Sequence, residues 1–198
     1  THFGIWMTAV SITSMAQFSD LGIGNGLLTR LSAAFGRDDI VSARADISSA
    51  YAMLTCVALI LSVISGGLLL ASNLRPFGIS TQPASLAIVA SVLVAFFAGI
   101  PASIIQRVMY ARQQVMLSNL WQIAGASVAV IACWAAVTLK LPPWAAVLAY
   151  GLPAALALAG AGLWYFVRNP ELRPRLSDVR KDSSRQLLTL GIRFLALG

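Results

Sequence analysis

Acids, histidine and cysteine are scarce in this sequence, and their scarcity excludes several classes of protein. Seven Asp and Glu and one histidine, His2, occur in 198 residues. Membrane-embedded polymerases and glycosyltransferases need acid, base or metal-binding groups at a membrane face. No paired-acid motif occurs, and no loop is large enough to hold a sugar acceptor, so neither catalysis nor a metal site is expected. Cys56 and Cys133 each stand alone inside an apolar stretch. That is neither a disulfide framework nor a metal-ligand spacing, and buried, inert thiols are expected. Charge of either sign is thin at 11% of residues, where soluble domains carry roughly 25%. The alternating pattern of a membrane β-barrel is also missing.

What the chain has is hydrophobicity. Apolar residues make up 58% of it, and the mean hydropathy is +0.80. A spanning helix needs roughly 20 mainly apolar residues. Five stretches qualify: Phe3–Leu28, Ile47–Ser72, Ala84–Tyr110, Leu117–Leu139 and Trp144–Val167. A sixth begins near Gln186. Backbone groups in hydrocarbon must be satisfied within their own segment, so an all-α, polytopic transmembrane bundle is expected. The chain starts without Met and stops inside an apolar run, so it reads as a piece of a longer protein. Three regions are expected: a transmembrane lobe of five spans over 1–167, a basic cytoplasmic linker over 168–185, and the start of another span over 186–198.

The formal net charge of +7 would suggest nucleic acid as partner in a soluble protein. Here membrane topology accounts for it better. Loops 29–46, 107–116 and 168–185 together hold eleven of the 14 basic residues, whereas the two other loops hold only Arg75 and Lys140. By the positive-inside rule the three rich loops are cytoplasmic. The first residue then lies on the opposite side, and one upstream helix would complete a six-helix unit.

Helical spacing gathers the polar residues of each span onto a face. Thr13, Gln17, Asp20 and Gly24 share one side of the first. Ser48, Tyr51, Thr55, Ser62 and Ser65 follow in the second, and Ser91, Ala95, Gly99, Ser103 and Gln106 in the third. Ser118, Gln122, Gly125, Ala129 and Cys133 align in the fourth, and Tyr150, Pro153, Ala157, Gly160 and Trp164 in the fifth. Small residues on such stripes let helices pack closely. Gln17, Asp20, Gln106 and Gln122 would be costly against lipid, so they should face protein or a hydrated cavity. Both readings stay open. Asp20 would carry a coupling proton or pair with a substrate-binding Arg in one reading, and form a structural ion pair or helix-end hydrogen bond in the other. Gly22-xxx-Gly26 reads as close helix packing, and Gly36 precedes a turn at which Asp39 could cap the next helix. Pro101 and Pro153 should bend their helices, as hinges or as static kinks. Arg107 and Arg112 either snorkel to headgroups or face a ligand; Arg193 lies within the last apolar run.

Two stretches carry a family resemblance. "FGIWMTAVSITSMAQFSDLGIGNGLLTRLSAAFGRDD", followed by "ARADISSAY", resembles the second-helix region of bacterial polysaccharide flippases of the Wzx type. These belong to the multidrug/oligosaccharidyl-lipid/polysaccharide exporter superfamily. "PASIIQRVMYARQQVMLSNLWQIAG" is similar to the fourth-to-fifth-helix connection of that family. The resemblance implies helices two to six of the N-terminal lobe of a MATE-like transporter of twelve to fourteen helices, with the first helix missing. It also implies a transporter rather than an enzyme. Such a protein flips undecaprenyl-diphosphate-linked oligosaccharide across the bacterial inner membrane by alternating access, for O-antigen, capsule or exopolysaccharide assembly. A diphosphate needs a wet path with guanidinium partners. Arg30, Arg107, Arg112 and Arg193 are the candidates by position, with Gln17, Gln106, Asn119, Gln122 and Tyr51 for the sugars. No cofactor is implied beyond coupling to a proton or sodium gradient, with Asp20 as candidate. Membrane lipids, a polysaccharide polymerase and chain-length machinery are the implied partners besides the lipid-linked sugar. The rival readings are another exporter of the same superfamily, carrying a drug or lipid precursor, and a membrane-embedded polymerase or glycosyltransferase. A purely structural scaffold would not need Gln and Asp on interior faces.

Overall fold

The computed structural model describes the backbone of residues 23–70 and 83–197, and the side chains of all of these but 70, 83, 181 and 192–197. Its elements are α1 (Ile23–Phe35), α2 (Ile40–Leu70), α3 (Pro83–Ala102), α4 (Ile104–Ala111), α5 (Val115–Thr138), α6 (Pro143–Arg168) and α7 (Lys181–Leu197). Two short 3-10 turns, Pro170–Leu172 and Leu176–Asp178, join α6 to α7. No strand occurs among the described residues. The fold is an all-α bundle. Four helical stretches are long and apolar enough to cross a membrane: Ile40–Leu69, Ala84–Ala111, Val115–Thr138 and Pro143–Arg168.

The helices run further than their hydropathy suggests. The tract 29–46 is not a loop: α1 continues to Phe35 and α2 begins at Ile40, leaving a four-residue turn between them. Hydropathy marks where lipid ends, whereas a helix continues until its hydrogen bonds are capped. Asp39 supplies that cap, its Oδ1 accepting from the Ser42 amide at 3.0 Å. The preceding helix closes on Asp38 at φ 54°, with Asp38 N–H donating to the Phe35 carbonyl and Asp39 N–H to that of Ala34. The same Schellman geometry, with a left-handed residue just past the helix end, recurs at Gln113 (φ 59°) and Lys140 (φ 51°). Glycine usually fills this position; here none does.

Pro101 lies inside α3, two residues before the break at Ser103 that separates α3 from α4, and it leaves the Phe97 carbonyl without its helical N–H donor. Ser103 sits at the break as a turn residue, its hydroxyl donating to the Ile100 carbonyl at 2.8 Å. Pro153, by contrast, lies inside an uninterrupted α6.

Small residues set the helix separations. A Cβ on Gly125 of α5 would lie 2.8 Å from Ala157 Cβ and 3.3 Å from Ala154 Cα on α6. A Cβ on Gly151 would come within 2.8 Å of Ala95 Cβ on α3. Thus α6 is seated between α3 and α5, and close packing accounts for Ala95, Gly125 and Ala157 of the stripes, whereas Gly99 has nothing within 4 Å of its missing Cβ. Gly26 is tight in the same way against Leu187 and Leu190 of α7. The main core lies between α1, α2, α4 and the last turns of α6, and includes Leu27, Leu31, Ile47, Leu54, Ile105, Met109 and Tyr165. Cys56 and Cys133 are free, but Cys56 is exposed on α2 rather than buried, because only one face of that helix meets neighbours.

Candidate binding surfaces

The three arginine-rich tracts meet at one end of the bundle. Segment 169–180 is the strap that gathers them. It is stitched onto α2 through the amides of Arg175 and Arg180, which donate to the hydroxyls of Ser48 (3.1 Å) and Ser49 (3.2 Å). Arg44 Nε lies 2.9 Å from Asp178 Oδ2. Arg112 reaches the strap from the α4–α5 turn, donating to Asn169 Oδ1 at 3.1 Å, with Glu171 at 3.8 Å and the Phe35 ring beneath its guanidinium at 5.0 Å. Arg168 stacks over Trp164 at 4.3 Å.

Arg30 is more firmly held. Its Nε and Nη2 donate to Asp46 Oδ2 and Oδ1 at 2.9 and 2.8 Å, a bidentate fork onto a carboxylate that is 2% exposed. Its Nη1 donates to Gln186 Oε1. Two of the four guanidinium candidates therefore already have carboxylate partners. Arg107 is half-buried and engaged with a neighbour. The side chain of Arg193 lies outside the described residues, as do Gln17 and Asp20. Bonds from the Ser42 side chain and amide hold the Asp39 carboxyl below the ordinary 3.8, and Arg37 and Arg180 add to this.

The candidate sugar ligands separate. Tyr51 packs edge-on to Phe166, with ring centres 6.0 Å apart, against the core, and Gln106 is half-buried on α4. Asn119 and Gln122 are both exposed on α5. Gln122 Nε2 approaches Asn119 Oδ1 at 3.4 Å and Tyr110 Oη at 3.5 Å. These are long contacts that leave most of the amide donors and acceptors unspent. Gln122 is the eighth residue of α5, about 10 Å along its axis from the helix start. Nothing in the helical spacing marked Tyr110 as a member of this patch, and no pattern singled it out. Nor did the spacing single out Asp46, although Arg30 and Asp46 flank the α1–α2 turn at similar distances, which is the signal that pairs them. Among the described residues no cluster of His, Cys, Asp and Glu could hold a metal ion.

These features define the class: a multi-pass, membrane-embedded, all-helical protein with a cationic end. Comparison with models of protein families, with curated proteins and with solved structures finds no match.

Proposed function

We propose that this chain is part of a transporter that flips undecaprenyl-diphosphate-linked oligosaccharide across the bacterial cytoplasmic membrane by alternating access, for polysaccharide assembly. The observation that supports it best is the patch of exposed Asn119 and Gln122, with half-buried Tyr110 beside them, on helical stretches long enough to span. An unsatisfied amide in hydrocarbon costs about 2–7 kcal/mol, so such a face should meet water, sugar hydroxyls or protein rather than acyl chains. Sugar hydroxyls are both donors and acceptors, which is what two primary amides and a phenol can match. The gathered arginines at one end would face the cytoplasm and draw the diphosphate toward that mouth.

The test is reconstitution of the full-length protein in vesicles with a fluorescent lipid-linked oligosaccharide, following its arrival in the opposite leaflet. Transfer should outpace protein-free vesicles, and Asn119→Leu with Gln122→Leu should slow it about tenfold, the equivalent of about 1.4 kcal/mol. Equal rates with and without protein would remove the reading.

A further inference from the structure

Between α1 and α7 lies an open groove of about 370 Å³, lined by Arg30, Arg185, Gln186, Thr189 and Leu190. We propose that this groove binds the phosphate group of an anionic membrane lipid, a site separate from any transported cargo and independent of the transport reading.

The lining offers donors and no carboxylate. Arg30 has no acceptor atom, so the Gln186 atom it touches is the amide oxygen, and the Gln186 NH₂ is left as the group that can serve a ligand. Thr189 spends its hydroxyl proton on the Arg185 carbonyl at 2.9 Å. The ligand-directed groups are then the Arg185 guanidinium, the Gln186 amide and the outer N–H of Arg30. Arg30 is aimed by the Asp46 fork, so it needs little ordering when an anion arrives.

Charge sets the ligand class. The Arg30 charge is offset by Asp46, whereas Arg185 has no ion-pair partner among the described residues. The groove thus holds one uncompensated positive charge, the complement of one phosphodiester. Shape points to a lipid rather than free phosphate. The polar groups sit toward the arginine-rich end, and Leu190, one turn further along α7, opens the apolar side where acyl chains would lie. The walls are fixed below by the Gly26 crossing, where a Cβ would stand 3.2 Å from Leu190 Cβ. Clusters of basic side chains at a membrane face attract anionic headgroups, and this groove lies at the arginine-rich end of a bundle that contains four membrane-spanning stretches.

The test measures the thermal midpoint of the full-length protein in neutral detergent with added phosphatidylglycerol, phosphatidylcholine or sodium phosphate. Phosphatidylglycerol should raise the midpoint by about 3 °C or more, and phosphatidylcholine should not. Arg185→Gln should lose more than half of that shift, while Arg173→Gln, an exposed charge on the strap, should keep it. Arg185→Lys keeps the charge without the forked donor; it should fall between, and it carries the test alone should Arg185→Gln not fold. No shift with phosphatidylglycerol, or an equal loss in Arg173→Gln, overturns the site. A shift produced equally by sodium phosphate and abolished by Arg185→Gln overturns the lipid as the source.

Discussion

Arg30 shows how a guanidinium can be basic, inward and still structural. Its fork closes on a carboxylate that is 2% exposed, so removing either partner strands the other. Arg30→Ala should destabilise the protein by about 2–4 kcal/mol, somewhat less than the roughly 3–5 kcal/mol for fully buried pairs because Arg30 itself is partly exposed. The double variant Arg30→Met, Asp46→Leu should recover much of that loss, as measured by thermal unfolding in detergent. Asp39 makes a different, pH-dependent contribution. Its folded pKa is lowered, so its cap contributes fully above the ordinary carboxylate value of 3.8 and is lost as pH falls through the lower folded value. Asp39→Ala should therefore lower the thermal midpoint at neutral pH, and the gap from wild type should begin to shrink below pH 3.8 and close only once the pH has passed the lower folded value. A gap that persists there would mean the side chain acts by some route other than its charge.

At the level of helices, glycines divide into two kinds. Gly125 is pressed against Ala157 and Ala154, and Gly151 against Ala95, whereas Gly67 on α2 has nothing within 4 Å of its missing Cβ. Gly125→Ala should cost about 1–3 kcal/mol as α5 and α6 are forced apart. Gly67→Ala should be neutral or gain about 0.5–1 kcal/mol from helix propensity. Comparison of the two midpoints checks the seam directly. Four of the five expected spans were legible in the sequence because lipid imposes both length and composition, while most of the first, Phe3–Leu28, lies outside the described residues. Helix ends were not, since Arg30, Arg44 and Asp46 are helical despite their polarity. The three turns were also hidden, because Asp38, Gln113 and Lys140 occupy left-handed positions that sequence reasoning assigns to glycine.

For the whole molecule, the strap 169–180 converts three separate basic tracts into one cationic end. The sequence counted those charges correctly, but the contacts that tie the strap to the other tracts, such as Arg112 to Asn169, 57 residues apart, and Arg180 to Ser49, 131 residues apart, are encoded by no local pattern. Helix alternation places Lys140, in the α5–α6 turn, at the opposite end. Single cysteines replacing Arg173 and Lys140, with Cys56 and Cys133 changed to serine, should react with an impermeant thiol reagent from opposite sides of sealed membranes. Reaction from the same side would contradict the bundle's topology.

The most direct test of the transport reading asks whether the Asn119–Gln122 face is wet. In the same cysteine-free background, Gln122→Cys and Leu120→Cys sit at one depth of α5 on opposing faces, and both native side chains are exposed. The expected result is rapid labelling of Gln122→Cys by a small water-soluble reagent, with Leu120→Cys protected by lipid. Equal protection of the two positions would mean that this face meets acyl chains, and the hydrated path would be contradicted.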